Sequence, residues 1–284
     1  MRRKVIHHLF RSVTALCALM ACGIMLFLVY VIAVRGLPAI SWHFFTEQIR
    51  LVGASGGIFY NIVGTGILLT TALMVSAPVA IALALLHGVY LTSGKAKRAL
   101  ETMLYVINGM PSIVCGIFGL IVFVQFLGWG KSWLSGGLLL GILMLPTVTV
   151  ALMERISSLP SRYIEAAAGL GLSQSQIIWS VILPQSISGL ITGSLLGLAR
   201  VAGEIAPIMF TATIFAGATF PQGIKESPVL SLPYHIFILA QDSFDPNVSE
   251  KVWGTALVML GLVFLLSIMA LPARLKIHEE SHHG

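Results

Sequence analysis

Apolar residues run along this chain in long unbroken stretches, without the alternation of a half-buried strand or the narrow stripe of a surface helix. Six stretches approach or exceed the roughly 20 residues that a helix needs to cross a bilayer core. They are Ser12–Val34, Gly57–Leu86, Met103–Leu127, Leu134–Met153, Ile187–Ala216 and Trp253–Leu271. Polar residues collect between them, and two of the intervening segments are long. Pro160–Pro184 is of mixed polarity, and Gly217–Glu250 carries Pro221, Pro228, Pro233 and Pro246. The pattern predicts an all-α membrane protein with six transmembrane helices. It divides into a leader at 1–55 (N-terminal tail, first helix and loop), a five-helix core at 56–272 and a tail at 273–284.

Composition agrees. The 284 residues are 57% hydrophobic and 10% charged, with a mean hydropathy of +0.93. Soluble domains carry about a quarter charged residues, so these few cannot coat a water-facing surface. Disordered chains and nucleic-acid-binding domains are excluded on the same ground. The net charge of +6 has another origin, because cytoplasmic loops of membrane proteins collect Lys and Arg. With the N-terminus inside, the cytoplasmic segments hold Arg2, Arg3, Lys4, Arg11, Lys95, Lys97, Arg98, Arg155, Arg162, Arg274 and Lys276. The outside segments hold Arg35, Arg50, Lys131, Lys225 and Lys251. This bias places both termini in the cytoplasm. Leu19-Met20-Ala21-Cys22 looks like a lipoprotein cleavage site, yet the apolar run continues past Cys22, so the first stretch is expected to be an uncleaved span.

Each of the inner four spans holds a proline: Pro78, Pro111, Pro146 and Pro207. Proline removes a backbone hydrogen bond and opens a kink, which suits a bundle that moves or lines a path. Cys17, Cys22 and Cys115 lack metal-ligand spacing and are expected to be small core hydrophobes. His87 and His235 are expected to be solvated or interfacial.

The segment Ile164–Pro184 reads IEAAAGLGLSQSQIIWSVILP. Helix-forming Glu165-Ala166-Ala167-Ala168 meets Gly169 and Gly171, which permit a sharp turn. Ser173 is placed to cap a second helix with Ile177, Ile178 and Val181 on its apolar face. Pro184 stands where the next span begins. This predicts a cytoplasmic helix–turn–helix knob whose exposed Ile177, Ile178 and Trp179 imply a protein partner or a membrane surface.

In the fifth span Gly189, Gly193 and Gly197 recur every four residues, a stripe on which another helix packs closely. Arg200 and Glu204 continue that stripe, and their spacing sets them one above the other on a helix. A charge at that depth costs at least roughly 2.5–3.5 kcal/mol on insertion scales, so both should face the bundle interior or a wet cavity. Two readings stay open. One is a structural ion pair. The other is an anion pathway, because Arg presents a fork of donors suited to phosphate-like oxyanions. Gly203 and Pro207 bracket Glu204 and favour a broken helix at membrane depth.

Two motifs carry a family resemblance. Glu165-Ala166-Ala167, then Gly171, then Val181-x-Leu183-Pro184 resembles the EAA motif of ABC importer permeases, with Val181 in place of isoleucine. Arg200-Val201-Ala202-Gly203-Glu204-Ile205-Ala206-Pro207 resembles the fifth-helix signature of phosphate-importer permeases, with Ile205 in place of threonine. Gly56-Gly57-Ile58, Ile62-x-Gly64-Thr65 and the run Gly109–Gly119 resemble the same family, and the short length with that last run favours the PstA type. The resemblance implies the type I ABC importer permease fold with cytoplasmic coupling helices. It implies coupling to ATPase subunits through Glu165, Ala166, Ala167, Gly171, Leu183 and Pro184, and phosphate passage at Arg200 and Glu204. The partners it implies are a sister permease, two ATPase copies and an external phosphate-binding protein, in a bacterial cytoplasmic membrane. It implies no catalysis and no cofactor bound by this chain, with ATP used by the partner ATPase. The sister PstC type, a permease for another oxyanion, and an ATPase-independent secondary transporter or channel are the alternatives.

Gly130-Lys131-Ser132 ends like a phosphate-binding loop, but Gln125 stands where its first glycine belongs. The chain has no H-E-x-x-H, and its spans hold no second carboxylate to form an acidic dyad with Glu204, so an intramembrane peptidase is poorly supported.

Overall fold

The computed structural model describes residues 2–50, 55–217, 220–242 and 245–282. Helix α1 (Arg2–Gly36) leads through a 3-10 turn at Leu37–Ala39 to a short helix α2 (Trp42–Thr46), capped by the Ser41 hydroxyl. A small antiparallel hairpin pairs β1 (Ile49–Arg50) with β2 (Ser55–Gly56). Then come α3 (Phe59–Leu85), α4 (Gly94–Gly109), α5 (Ser112–Gly119) and α6 (Trp133–Ser157). Helices α7 (Ser161–Gly169) and α8 (Gln174–Ile177) precede α9 (Leu183–Val201), α10 (Ala206–Thr211), α11 (Leu232–Leu239) and α12 (Pro246–His282). Three π-helical stretches, Leu86–Tyr90, Leu120–Phe126 and Ile178–Ile182, extend α3 and α5 and join α8 to α9.

Among the described residues five helices are long and apolar enough to span a membrane, or six if the bent pair α4 and α5 counts as one. In that pair the kink expected at Pro111 in the third span, Met103–Leu127, is a full elbow. The chain turns by 93° between Gly109 and Ser112. Met110 is extended, as suits a residue before proline, and Pro111 opens α5 without an N–H to continue α4. Pro78 and Pro146 sit inside their helices. Of the expected tail 273–284, α12 carries the backbone to His282. The last two residues lie outside the described ones, as do the side chains of Arg2, Arg3, Lys4, Arg274 and Lys276.

The core is a three-helix packing of α3, α6 and α9. It rests on glycine at both interfaces, because closely approaching helices leave no room for a Cβ. A Cβ on Gly141 of α6 would stand 3.1 Å from the Ala72 carbonyl oxygen and 3.2 Å from Val75, both on α3. On the other side, a Cβ on Gly189, Gly193 or Gly197 of α9 would meet Arg155, Ala151 or Met144 of α6 at 2.6–2.9 Å. Arg155, buried between these helices, donates from Nε to the Gln185 carbonyl at 3.0 Å.

Helix α1 lies outside this core and packs along α12, where the Arg35 guanidinium stands 5.1 Å from the Trp253 ring centre. Cys17 and Cys22 face away from the rest of the chain and only Cys115 is buried, so the first two are not core residues. Lys251 at the start of α12 donates to the Gly56 carbonyl before α3 at 2.7 Å. The first turns of α3 and α12 therefore share one end of the bundle. The opposite end carries the α7–α8 turn, the start of α1 and the end of α12.

Candidate functional site

At the turn-bearing end, α7 stops in a Schellman motif. Gly171 N–H donates to the Ala168 carbonyl at 3.0 Å and Leu172 N–H to the Ala167 carbonyl at 3.2 Å. The left-handed conformation this requires falls on Gly171, at φ +77°. Ser173 then opens α8 with a capping box. Its backbone N–H donates to Gln176 Oε1 at 2.8 Å, while Gln176 N–H donates back to the Ser173 hydroxyl.

Ala167, Ile177, Ile178 and Ile182 are buried against Ala84, Leu104, Leu152 and Ile156 from the ends of α3, α4 and α6. Ile177 and Ile178 are thus not the exposed apolar groups expected of the knob. They anchor it to the bundle. What it presents outward is Glu165, Ala166, Leu170 (83% exposed) and Trp179 (71% exposed). Leu183 is half-buried and Pro184 exposed, in the first turn of α9. The turn is attached to the bundle through an apolar seam.

His87 belongs to this seam and is not solvated. Its Nε2 lies 2.9 Å from Glu101 Oε1, tying the π turn after α3 to α4, with the imidazole 12% exposed. His87 also borders a cavity of about 410 Å3 under the knob, with Lys97, Ser157, Ile164, Gln174 and Ile177 on its wall.

The second cluster lies where α9 ends. Helix α9 stops at Val201, and Glu204 N–H closes a turn onto the Val201 carbonyl at 3.1 Å. Pro207 has no N–H to give the Gly203 carbonyl, so the helix breaks and restarts as α10. The expected break around Glu204 is therefore present. It removes the helical register that would have set Glu204 beside Arg200, and no ion pair joins the two. Arg200 instead points to the α4–α5 elbow. Its Nη1 donates to Asn108 Oδ1 and, at 3.4 Å, to the Thr147 hydroxyl, while Nη2 approaches the Asn108 carbonyl at 3.4 Å. Both partners adjoin a proline break: Asn108 precedes the elbow and Thr147 follows Pro146.

Arg200 is exposed on an open face of the chain, with free donor capacity beside two polar side chains. Glu204 lines a separate cavity of about 10 Å3 together with Thr65, Ala202, Ile208, Ser231 and Pro233. The segment after α10 folds back so that Thr213 bridges Val229, and α11 packs on α12 and the first turns of α3. Gly64 admits the Leu230 carbonyl against α3, where a Cβ would collide with it. His235 of α11 is buried and stacks on Phe215 with ring centres 6.3 Å apart, so it too is not solvated. Burial, with the Lys251 charge adding, pushes its pKa down to about 4.

Residues 76–272 match the profile of the family described as binding-protein-dependent transport system inner membrane component. This chain belongs to that family. As a permease component of this kind it is 31% identical to the probable ABC transporter permease protein YqgI of Bacillus subtilis, over 95% of each chain. It is 28% identical to the phosphate transport system permease protein PstA 2 of Mycobacterium tuberculosis, over 94% of this chain and 87% of that one. The probable phosphate transport system permease protein PstA of Methanocaldococcus jannaschii is 33% identical over 78% and 77%. Among solved structures, an inward-facing MetNI methionine ABC transporter chain superposes with a TM-score of 0.58 at 15% identity, covering 78% of this chain and 97% of that one. The likeness places the permease in the same fold.

Sequence reasoning missed Asn108, Thr147 and Ser231. Asn108 and Thr147 carried a weak signal, as polar residues within three positions of a span proline. Ser231 carried none.

Proposed function

We propose that this chain is the permease subunit, of the PstA type, of an ATP-driven importer that carries inorganic phosphate across the bacterial cytoplasmic membrane. The observation that carries the reading is the Arg200 guanidinium, held at the α4–α5 elbow by uncharged Asn108 and Thr147 on an open face. A fork whose neighbours leave its charge uncompensated suits a tetrahedral oxyanion. The relatives named as phosphate permeases support that choice of anion.

The open face is completed by a sister permease, so that Arg200 lines a path shared by two subunits. One of two ATPase copies docks on the α7–α8 knob, with Glu165 and Ala166 at the contact and Leu170 and Trp179 filling apolar recesses, and the sister permease receives the other. ATP is bound and hydrolysed there, and this chain is non-catalytic with no cofactor of its own. ATP binding closes the ATPases and moves the knob. The seam of Ile177, Ile178 and Ile182 transmits that movement to the ends of α3, α4 and α6, reorienting the broken helices about the path. An external phosphate-binding protein delivers the ion at the opposite end. The Lys and Arg distribution supports a cytoplasmic position for the knob and both termini.

The test is uptake of labelled phosphate and sulfate, side by side, in cells lacking this chain. Loss of phosphate uptake alone, restored by the intact gene, supports the reading. Loss of sulfate uptake instead overturns the substrate.

A further inference from the structure

We infer that Ser231 and the N-terminus of α11 form a second contact for the translocated oxyanion, facing Glu204 across the cavity that both line. This rests on the proposed phosphate function and extends it to a segment between the last two spans.

The serine is in the N-cap position of α11, where its hydroxyl would ordinarily accept from an N–H of the first turn. It makes no such bond. Its Oγ is without a hydrogen-bond partner although the residue is 1% exposed. The turn itself is pinned by other groups. Asn61 Nδ2 donates to the Ser231 carbonyl at 3.2 Å, and Leu232 N–H donates to the Thr65 hydroxyl at 2.9 Å. A buried, unpartnered hydroxyl costs stability, and this one is not needed to hold the helix.

The surroundings specify the chemistry of its partner. In this first turn Pro233 has no N–H and that of Leu232 is taken by Thr65, which leaves the Ser231 hydroxyl, the Tyr234 N–H and the positive end of the helix dipole to attract an anion. Glu204, on the same cavity wall, is an acceptor with no ion-pair partner among the described residues. Donors on one side and a carboxylate on the other suit an oxyanion that retains a proton, because its P–OH can donate to Glu204. At about 10 Å3 the cavity holds no more than one water in this conformation. The anion would reach Ser231 when α3 and the α9–α10 break separate.

The complete transporter, with sister permease, ATPases and binding protein, is reconstituted in proteoliposomes and compared with its Ser231→Ala form. ATP-dependent uptake of labelled phosphate is expected to fall about tenfold, the loss of one hydrogen bond to a charged group. The thermal midpoint should hold or rise, since an unpaired buried hydroxyl has been removed, and ATP hydrolysis stimulated by the binding protein should persist. Unchanged uptake overturns the inference. So does a parallel fall in uptake and thermal midpoint, which makes the hydroxyl structural. If the unsubstituted transporter moves no phosphate, the proposed function fails and this inference falls with it.

Discussion

The guanidinium of Arg200, on the last turn of α9, is held by the side-chain oxygen of Asn108 beside the 93° elbow between α4 and α5. The bond spans two broken helices, so movement at either break displaces the charge.

Replacing Asn108 with Ala should leave Arg200 charged but unfixed. Phosphate uptake is expected to fall by roughly tenfold, as misplacing a binding group does, with the protein level in the membrane unchanged. Arg200→Lys should fall further, because it keeps the charge and loses the planar fork. Initial uptake rates with quantitative membrane blots check both.

At the α6–α9 interface, Gly193→Leu should destabilise the bundle by about 1–3 kcal/mol, the usual cost of overpacking. A Cβ there already stands 2.9 Å from that of Ala151 and 3.1 Å from the Val148 Cα. Gly66→Ala, which meets nothing within 4 Å, should be neutral or slightly stabilising. Thermal unfolding in detergent separates the two.

The knob gives a sharper contrast. Gly171→Ala places a side chain at φ +77° and should cost about 1–2 kcal/mol locally. Gly169→Ala, one helical position before the cap residue Leu170, has open space and right-handed backbone and should be silent. Gly171→Trp is expected to abolish uptake while the protein stays inserted, read as ATP hydrolysis no longer stimulated by the binding protein. Uptake that survives this change would contradict coupling through the turn.

His235 predicts a pH dependence. Its folded pKa near 4 lies below the ordinary 6.5, through burial first and the Lys251 charge second. The unfolded chain therefore binds the extra proton between those values, and stability rises with pH across that window. The contribution is full above pH 6.5 and is lost as pH falls towards 4, by roughly 3 kcal/mol. The slope of thermal midpoint against pH between 4 and 6.5 should flatten in His235→Gln.

Much of this was legible in the sequence because bilayer physics is a strong constraint. Uninterrupted apolar runs located the spans except the fifth, which runs over Gln174–Val201 and not over Ile187–Ala216, and Gly203 with Pro207 marked the break that ends α9 early. Gly171 and Ser173 placed the knob's turn because a Schellman cap and a capping box are local features. The elbow at Pro111 was less readable, since a proline in an apolar run signals a kink without its angle. The burial of Ile177 and Ile178 depends on the distant α3, α4 and α6, which no local pattern shows. The ion-pair reading of Arg200 with Glu204, one of the two left open, needs an unbroken helix and conflicts with the break read from the same residues. The tie of His87 to Glu101 is not legible locally, because Glu101 lies on another helix.

The most direct measurement is ATP-dependent uptake of labelled phosphate by the reconstituted transporter carrying Arg200→Gln. The expected result is a complex that assembles and hydrolyses ATP but takes up almost no phosphate. Normal uptake by that variant would contradict it, leaving Arg200 a structural tie between α9 and the elbow.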